Sequence, residues 1–205
     1  MPTYYGDIIQ GTPAWNAIRA GKWSASSAAR IMGGLTTQGL KDLIKDVAWG
    51  RVFGETDSGF TSKAMDRGHE FEPEARDWFA FEHGACVEEV GFVAHSRIAN
   101  VGWSPDGLHA NRKRGVEIKC LLHKAWMDVE EDRQIPAEYR WQAKFACWVG
   151  ELDGLDFVVY HPRAGGIVIP TEITGSDKDQ MEARISILEP MVQARIDRLQ
   201  ERIAA

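Results

Sequence analysis

No apolar run in this chain approaches the roughly 18 residues that a membrane-spanning helix needs. The N-terminal stretch MPTYYGDIIQGTPAW has no basic segment followed by an apolar one, so no secretory signal and no membrane segment are expected. Cysteine is scarce. Cys86, Cys120 and Cys147 are widely spaced, odd in number and form no Cys-x-x-Cys pair, which excludes a zinc or iron–sulfur signature and suits a reducing cytoplasm. The 6 histidines show no metal-ligand spacing, and His161 in YHPR reads as a turn residue. Basic charge is in deficit, 24 Lys and Arg against 30 Asp and Glu, for a formal net charge of −6. A general nucleic-acid binder is usually basic, so this balance argues against one, although a basic groove can coexist with an acidic exterior. Internal repeats and low-complexity segments are also missing.

What remains is ordinary globular composition: 205 residues, 44% hydrophobic and 26% charged, enough for one substantial core. The N-terminal third reads as helices broken by glycine. Thr12 caps TPAWNAIRAG with Pro13 in its first turn, Ser24 caps SASSAARIMGG, and TQGLKDLIKDVAWGRVFG places Leu40, Leu43, Ile44 and Val47 at helical spacing. Glu55 to Gly59 reads as a loop. A long helix follows in TSKAMDRGHEFEPEARDWFAFEHG, with Met65, Phe71, Ala75, Trp78 and Phe79 as its stripe and Pro73 either kinking or restarting it. Strands are expected at about Cys86–His95, Val101–Leu108 and Gly115–Cys120, then a helix in PAEYRWQAKFACWVG. Strands GLDFVVYHP and GIVIPTEI come next, and a helix from Asp177 to the end. This order predicts an α/β fold with a mixed central sheet flanked by helices.

Ser104 to Cys120, SPDGLHANRKRGVEIKC, carries the chemistry. A polar turn ending in Gly115 reads as a hairpin. Strand alternation puts Glu117 and Lys119 on one face, and pairing would bring Asp106 beside Glu117. Two carboxylates, one ammonium and the intervening Ile118 backbone carbonyl suit a hard divalent cation and phosphodiester hydrolysis. The same residues also suit an exposed hairpin with an ordinary Glu/Lys pair. Against that, the strand is otherwise apolar (Val116, Ile118, Cys120, Leu121, Leu122), and a charge in a buried strand needs a partner or a metal. Arg112, Lys113 and Arg114 read as a solvated tip rather than a phosphate contact.

Five ordered stretches resemble the phage lambda exonuclease family (viral recombinase exonucleases) of the PD-(D/E)XK nuclease superfamily. AWNAIRAGKWSASSAARIMG is similar to its N-terminal Trp-x3-Arg signature, RGHEFEPEAR to its Gly-x3-Glu helix, and SPDGL with EIKC to its core. YRWQAKFACWVG is similar to its glutamine-bearing helix, and LDFVVYHPR to the strand and turn after it.

The resemblance implies a restriction-endonuclease-like core within a single nuclease domain over 1–205. Its parts would be a helical stretch over 1–60, a catalytic core over 61–175 and a C-terminal helix over 176–205. It implies Asp106, Glu117, the Ile118 carbonyl and Glu72 as metal ligands, Glu72 being preferred to Glu70 by its distance from Gly68. Lys119 would be the catalytic lysine, Gln142 its support, and Arg19, Ser26, Ser104 and Tyr139 the contacts to DNA and its 5′-phosphate. The implied activity is 5′-to-3′ digestion of one strand of linear duplex DNA to mononucleotides, leaving 3′ overhangs for recombination by strand annealing. Mg2+ would be the cofactor, two ions per site, with Mn2+ able to substitute. Implied partners are DNA ends, a homotrimeric ring and a single-strand annealing protein, in the cytoplasm of a host carrying a phage or prophage. An endonuclease or junction resolvase of the superfamily and an inactive DNA-binding module are the alternatives. The intact set Glu72, Asp106, Glu117 and Lys119 argues against the last.

Overall fold

Ser104-Pro105-Asp106 splits the strand expected over Val101–Leu108 in two, and its halves join different sheets. In the computed structural model, which describes residues 1–55 and 63–205 without the side chains of residues 63–66 and 69, β5 (Val101–Trp103) lies in a 4-stranded sheet. β6 (Gly107–His109) belongs to a 5-stranded one. Proline has no amide hydrogen for a ladder, so a break at Pro105 is its natural place. The expected strand Cys86–His95 divides likewise into β3 (Val87–Glu88) and β4 (Phe92–Ala94). Between them, a Cβ on Gly91 would sit 1.9 Å from the Ile8 carbonyl oxygen, so only glycine passes there.

The architecture is mixed α/β as expected, with two mixed sheets in place of one. The first runs β1 (Thr3–Tyr5), β4, β5, β2 (Trp23–Ser24), its last pair parallel. The second runs β3, β6, β7 (Arg114–Cys120), β8 (Gly154–His161), β9 (Gly165–Thr171), parallel only between β7 and β8. β8 is buried over seven of its residues, Gly154 to Tyr160, and is the spine of that sheet.

The helices form where their caps predict. Thr12 accepts from the Trp15 amide ahead of α1 (Pro13–Arg19), with Pro13 in the first turn. Ser24 makes no such cap. A 3-10 turn, Ala25–Ser27, comes between it and α2 (Ala28–Met32). α3 (Gln38–Phe53) is capped by Thr37 and stopped by Gly54 at φ 71°. α4 (Lys63–His83) runs through Pro73 without interruption. Of the expected loop Glu55–Gly59, residues 56–59 lie outside the described residues, as does the Met65 side chain. α5 (His123–Asp132) was not expected, whereas α6 (Ala137–Gly150) was. α7 (Gly175–Ala204) opens on a Thr174/Asp177 capping box and buries Met181, Ile185, Leu188 and Val192. Full burial of such a side chain stabilises by about 1.5–3 kcal/mol.

α6 sits at the seam, packed on β5 of one sheet and on β7 and β8 of the other. Its buried face is Ala143, Phe145, Ala146 and Cys147. The edge next to that face points at the crossing where Asp106 leaves the first sheet for the second. None of the described helices is long and apolar enough to cross a membrane, and all three cysteines are free.

Candidate active site

β6 pairs with β7 at Gly107↔Val116 and Leu108↔Gly115, so beyond Val116 that edge of β7 has no strand beside it among the described residues. Asp106 fills the gap. Its Oδ2 accepts the Ile118 amide at 2.7 Å, a side chain continuing the ladder where the strand stops. The N–H and C=O of one strand residue point to the same side, so the Ile118 carbonyl faces the same edge as Asp106. Alternation turns Val116, Ile118 and Cys120 towards Ala75 and Phe79 of α4, and leaves Glu117 and Lys119 on the other face. There Lys119 Nζ donates to Glu117 Oε1 at 2.6 Å, and Gln142 Nε2 from α6 donates to the same oxygen. Tyr139, one turn earlier on α6, carries its ring 5.5 Å from the Lys119 ammonium.

α4 brings the third carboxylate. Glu70 is exposed, while Glu72 is half-buried and interacts with the charges of Glu117 and Lys119. Arg76, one turn on, organises this corner. Its Nε donates to the Asp106 carbonyl at 2.7 Å, Nη2 to Glu72 at 2.8 Å, and Nη1 reaches Glu89 at 2.8 Å. Sequence reasoning did not single out Arg76. Its signal was the four-residue spacing from Glu72, which on a helix makes an ion pair.

The electrostatics leave negative charge under-compensated. Burial pushes Glu117 up to about 7, with the Asp106 charge adding and Lys119 opposing. Burial pushes Asp106 up to about 6, with Lys119 opposing and Glu72 adding. Glu72 is raised by burial, against the pull of Arg76. At Lys119 burial works against the ammonium, but Glu117 and Asp106 outweigh it and raise its pKa, so it stays charged at neutral pH. Among the described residues, no three Asp, Glu, His or Cys side chains form a ready-made metal cage. The oxygens available at the open edge are two carboxylates and one backbone carbonyl, with Glu72 held by Arg76. That donor set suits Mg2+, which takes one or two carboxylates and completes its shell with water and substrate phosphate.

Of the residues expected at a 5′-phosphate, Arg19 and Ser104 share an indole. Trp15 Nε1 donates to Ser104 Oγ at 2.9 Å and to the Gly91 carbonyl at 3.0 Å, while the Arg19 guanidinium stacks 3.9 Å from the centre of the same ring. Ser26 is exposed and joins this group only through Ser24, whose hydroxyl is 3.0 Å away and whose strand pairs with Gly102 on β5. No hydrogen bond joins Arg19, Ser26 and Ser104 to one another among the described residues. Trp15, part of the quoted signature, went unassigned because an isolated tryptophan reads as core. Arg112 and Lys113 are exposed, as a solvated tip requires, with Arg112 also 4.5 Å over the Tyr4 ring, whereas Arg114 departs from that reading and pairs with Asp156 at 2.6 Å. His161, expected in a turn, is instead the last residue of β8, paired with Gly165, and its Nδ1 accepts the Arg163 amide at 3.2 Å from the turn that follows.

Known proteins share this arrangement of elements. The structure superposes on the alkaline exonuclease LHK-Exo from Laribacter hongkongensis with a TM-score of 0.85 and 28% identity, over 94% of this chain and 98% of that one. The same figures hold for LHK-Exo in complex with dAMP. A phage-related exonuclease from Haemophilus somnus 129PT matches with a TM-score of 0.64 and 15% identity, over 92% and 99% of the two chains, a likeness of fold. No curated protein matches the sequence. The YqaJ-like viral recombinase domain matches residues 14–153, which takes in α1, the Glu72 helix, the β6–β7 hairpin and α6. With two thirds of its length and every element of the site inside that match, the chain belongs to the YqaJ-like viral recombinase family and has the exonuclease fold.

Proposed function

We propose that this protein is a Mg2+-dependent exonuclease that degrades one strand of linear duplex DNA from its 5′ end. It releases 5′-mononucleotides and leaves 3′ single-stranded overhangs for recombination by strand annealing. One observation carries this reading: Asp106, Glu117, Lys119 and the Ile118 carbonyl converge on the open edge of β7, with more buried negative charge than Lys119 and Arg76 offset. A mononucleotide is also the ligand in one structure of the LHK-Exo relative, its complex with dAMP.

Asp106, Glu117 and the Ile118 carbonyl would hold the cation, and Glu72 would add its carboxylate. When bound, Mg2+ supplies a nucleophile from water at neutral pH and neutralises charge on the scissile phosphate. The chain's own groups do the rest. Lys119 stays an ammonium and offers a fixed positive charge where negative charge develops on the phosphate oxygens. Gln142 and Lys119 both donate to Glu117 Oε1 and so fix that one oxygen at the site. Arg76 ties α4 to the backbone of Asp106, which keeps the two halves of the site in register. Arg19 and Ser104, fixed around Trp15, with Ser26 nearby, would receive the 5′-phosphate, and Tyr139 would border the strand beside Lys119.

A closed ring of three subunits around the duplex reconciles a net charge of −6 with DNA binding, because only the channel must be positive. Its setting would be the cytoplasm of a host carrying a phage or prophage, with a single-strand annealing protein loading onto the overhang. Digestion of a linear duplex beside a covalently closed circle tests the reading. The linear form should be consumed and the circle spared, EDTA should abolish the activity, and Mg2+ or Mn2+ should restore it. A cut circle would mean an endonuclease or resolvase, and two intact substrates an inactive binding module.

A further inference from the structure

Trp103 Nε1 and Glu117 Oε2 are both buried, and neither has a regular hydrogen-bond partner among the described residues. Glu117 Oε1 is different, with Lys119 and Gln142 both donating to it. Trp103 closes β5, the strand before the Ser104–Asp106 crossing, and is 1% exposed. Its ring reaches across the seam onto β7. A Cβ added to Gly115 would stand 2.5 Å from Trp103 Cη2 and 3.2 Å from Cζ2. Gly115 and Glu117 are two residues apart and share a face of the strand. The indole therefore lies along the row that leads to Glu117, and its N–H interacts with that carboxylate.

We propose that Trp103 is a positioning residue for Glu117. Its N–H confines Oε2 while Lys119 and Gln142 confine Oε1, fixing the carboxylate in one orientation for a divalent cation, and the missing side chain of Gly115 is what admits the indole. This rests on the metal-dependent reading above. A carboxylate tied at one oxygen still swings about its last bond, and a donor at the second oxygen removes that freedom before the cation arrives. Groups that orient a metal ligand in this way change metal affinity or activity by about 10–100-fold when mutated.

Two variants separate the N–H from the packing. Trp103→Phe keeps an aromatic ring over Gly115 and deletes only the donor. Gly115→Ala keeps the donor and displaces the ring. Calorimetric titration with Mn2+ should show affinity falling about 10–100-fold in both, with cooperative melting retained and kcat reduced while KM for DNA is unchanged. In the parent, the 15N–1H signal of the Trp103 indole, identified by its loss in Trp103→Phe, should move on Mg2+ addition with the midpoint of metal binding. Parental Mn2+ affinity in Trp103→Phe, or an indole signal that stays put as Mg2+ saturates the site, would overturn the proposal. If Trp103→Phe does not fold, the parental indole signal is identified instead by its displacement in Gly115→Ala, whose added Cβ would crowd the ring. A parent that binds no Mn2+, or an Asp106→Ala variant that binds it as well as the parent, would instead overturn the metal site itself.

Discussion

Asp106 Oδ2 accepts the backbone amide of Ile118 at 2.7 Å, across a hairpin that places these residues 12 positions apart. One side chain thus ends a strand ladder and also presents a buried carboxylate at that edge. Structural and chemical roles coincide in Asp106, and they can be pulled apart by substitution.

Asp106→Ala, Glu117→Ala and Lys119→Ala should each lower nuclease turnover by at least about a hundredfold, because each removes charge stabilisation of the kind worth roughly 3 kcal/mol. Asp106→Asn should be equally inactive, yet melt close to the parent, since an amide oxygen still accepts from Ile118. Asp106→Ala loses that acceptor as well and should melt lower. Single-turnover digestion and thermal melts of the four variants check both halves.

Arg76→Met should destabilise the fold by about 2 kcal/mol. It removes charge-assisted hydrogen bonds to the half-buried Glu72 and to the Asp106 carbonyl. Activity should fall more than stability explains, since Glu72 and Asp106 then lose their common tie. Urea unfolding gives the first quantity, and turnover at saturating Mg2+ gives the second.

Stability should depend on pH in a direction set by the site. The folded-state values of about 6 for Asp106 and about 7 for Glu117 lie above their ordinary 3.8 and 4.5. The folded protein therefore binds more protons than the unfolded chain across that window, and stability falls as pH rises through it. Glu189 acts in the opposite sense. Burial disfavours its charge, but hydrogen bonds from Arg51 and Trp23 hold its pKa below 4.5, so its contribution is present above that value and lost as pH falls through the lowered one. In EDTA the melting temperature should decline from pH 5.5 to 8. Added Mg2+ should raise it most at the alkaline end, where both carboxylates are ionised. A melting temperature in EDTA that rises from pH 5.5 to 8 would contradict the assignment.

The hairpin was legible because two signals agreed: period-2 alternation in Val116–Cys120 and a polar turn ending in glycine. Capped helices with long stripes, such as α7, were legible for the same reason. The division into two sheets was not, because Val101–Leu108 and Cys86–His95 are apolar enough to read as continuous strands. Their breaks are set by Pro105 and by Ile8 crowding Gly91. α5 is amphipathic but short, with Val129 buried and Trp126 partly buried, so its stripe is too brief to mark a helix in the sequence. Glu72 could be chosen over Glu70, and its spacing to Arg76 was a local signal. But the Arg76 bond to Asp106 and the Trp15 bond to Ser104 span 30 and 89 residues and Trp103 acts across a seam between sheets, which no local pattern announces.

Assembly is checked by mass. The ring proposed above requires light scattering coupled to gel filtration to give about three times the 22.9 kDa chain. A monomer at micromolar concentration would leave the acidic chain without a channel and remove the ring from the proposal.

Arg19 supplies the last prediction. Its guanidinium is stacked 3.9 Å over Trp15, burial lowers its pKa to about 10, and no carboxylate among the described residues pairs with it. A half-buried cation with no carboxylate partner among the described residues is poised for an anionic ligand, and a terminal phosphate carries an extra charge that an internal one lacks. A guanidinium can grip that group with two parallel hydrogen bonds. Ser104, held to the same indole, adds a hydroxyl. A 5′-phosphorylated duplex should therefore be digested faster than a 5′-hydroxyl one, and Arg19→Ala should erase most of the preference while Mn2+ binding is unchanged. Arg19→Lys should recover only part of it, because an ammonium keeps the charge but not the fork. Equal rates on the two ends in the parent, or a preference that survives Arg19→Ala, would place the 5′-phosphate elsewhere.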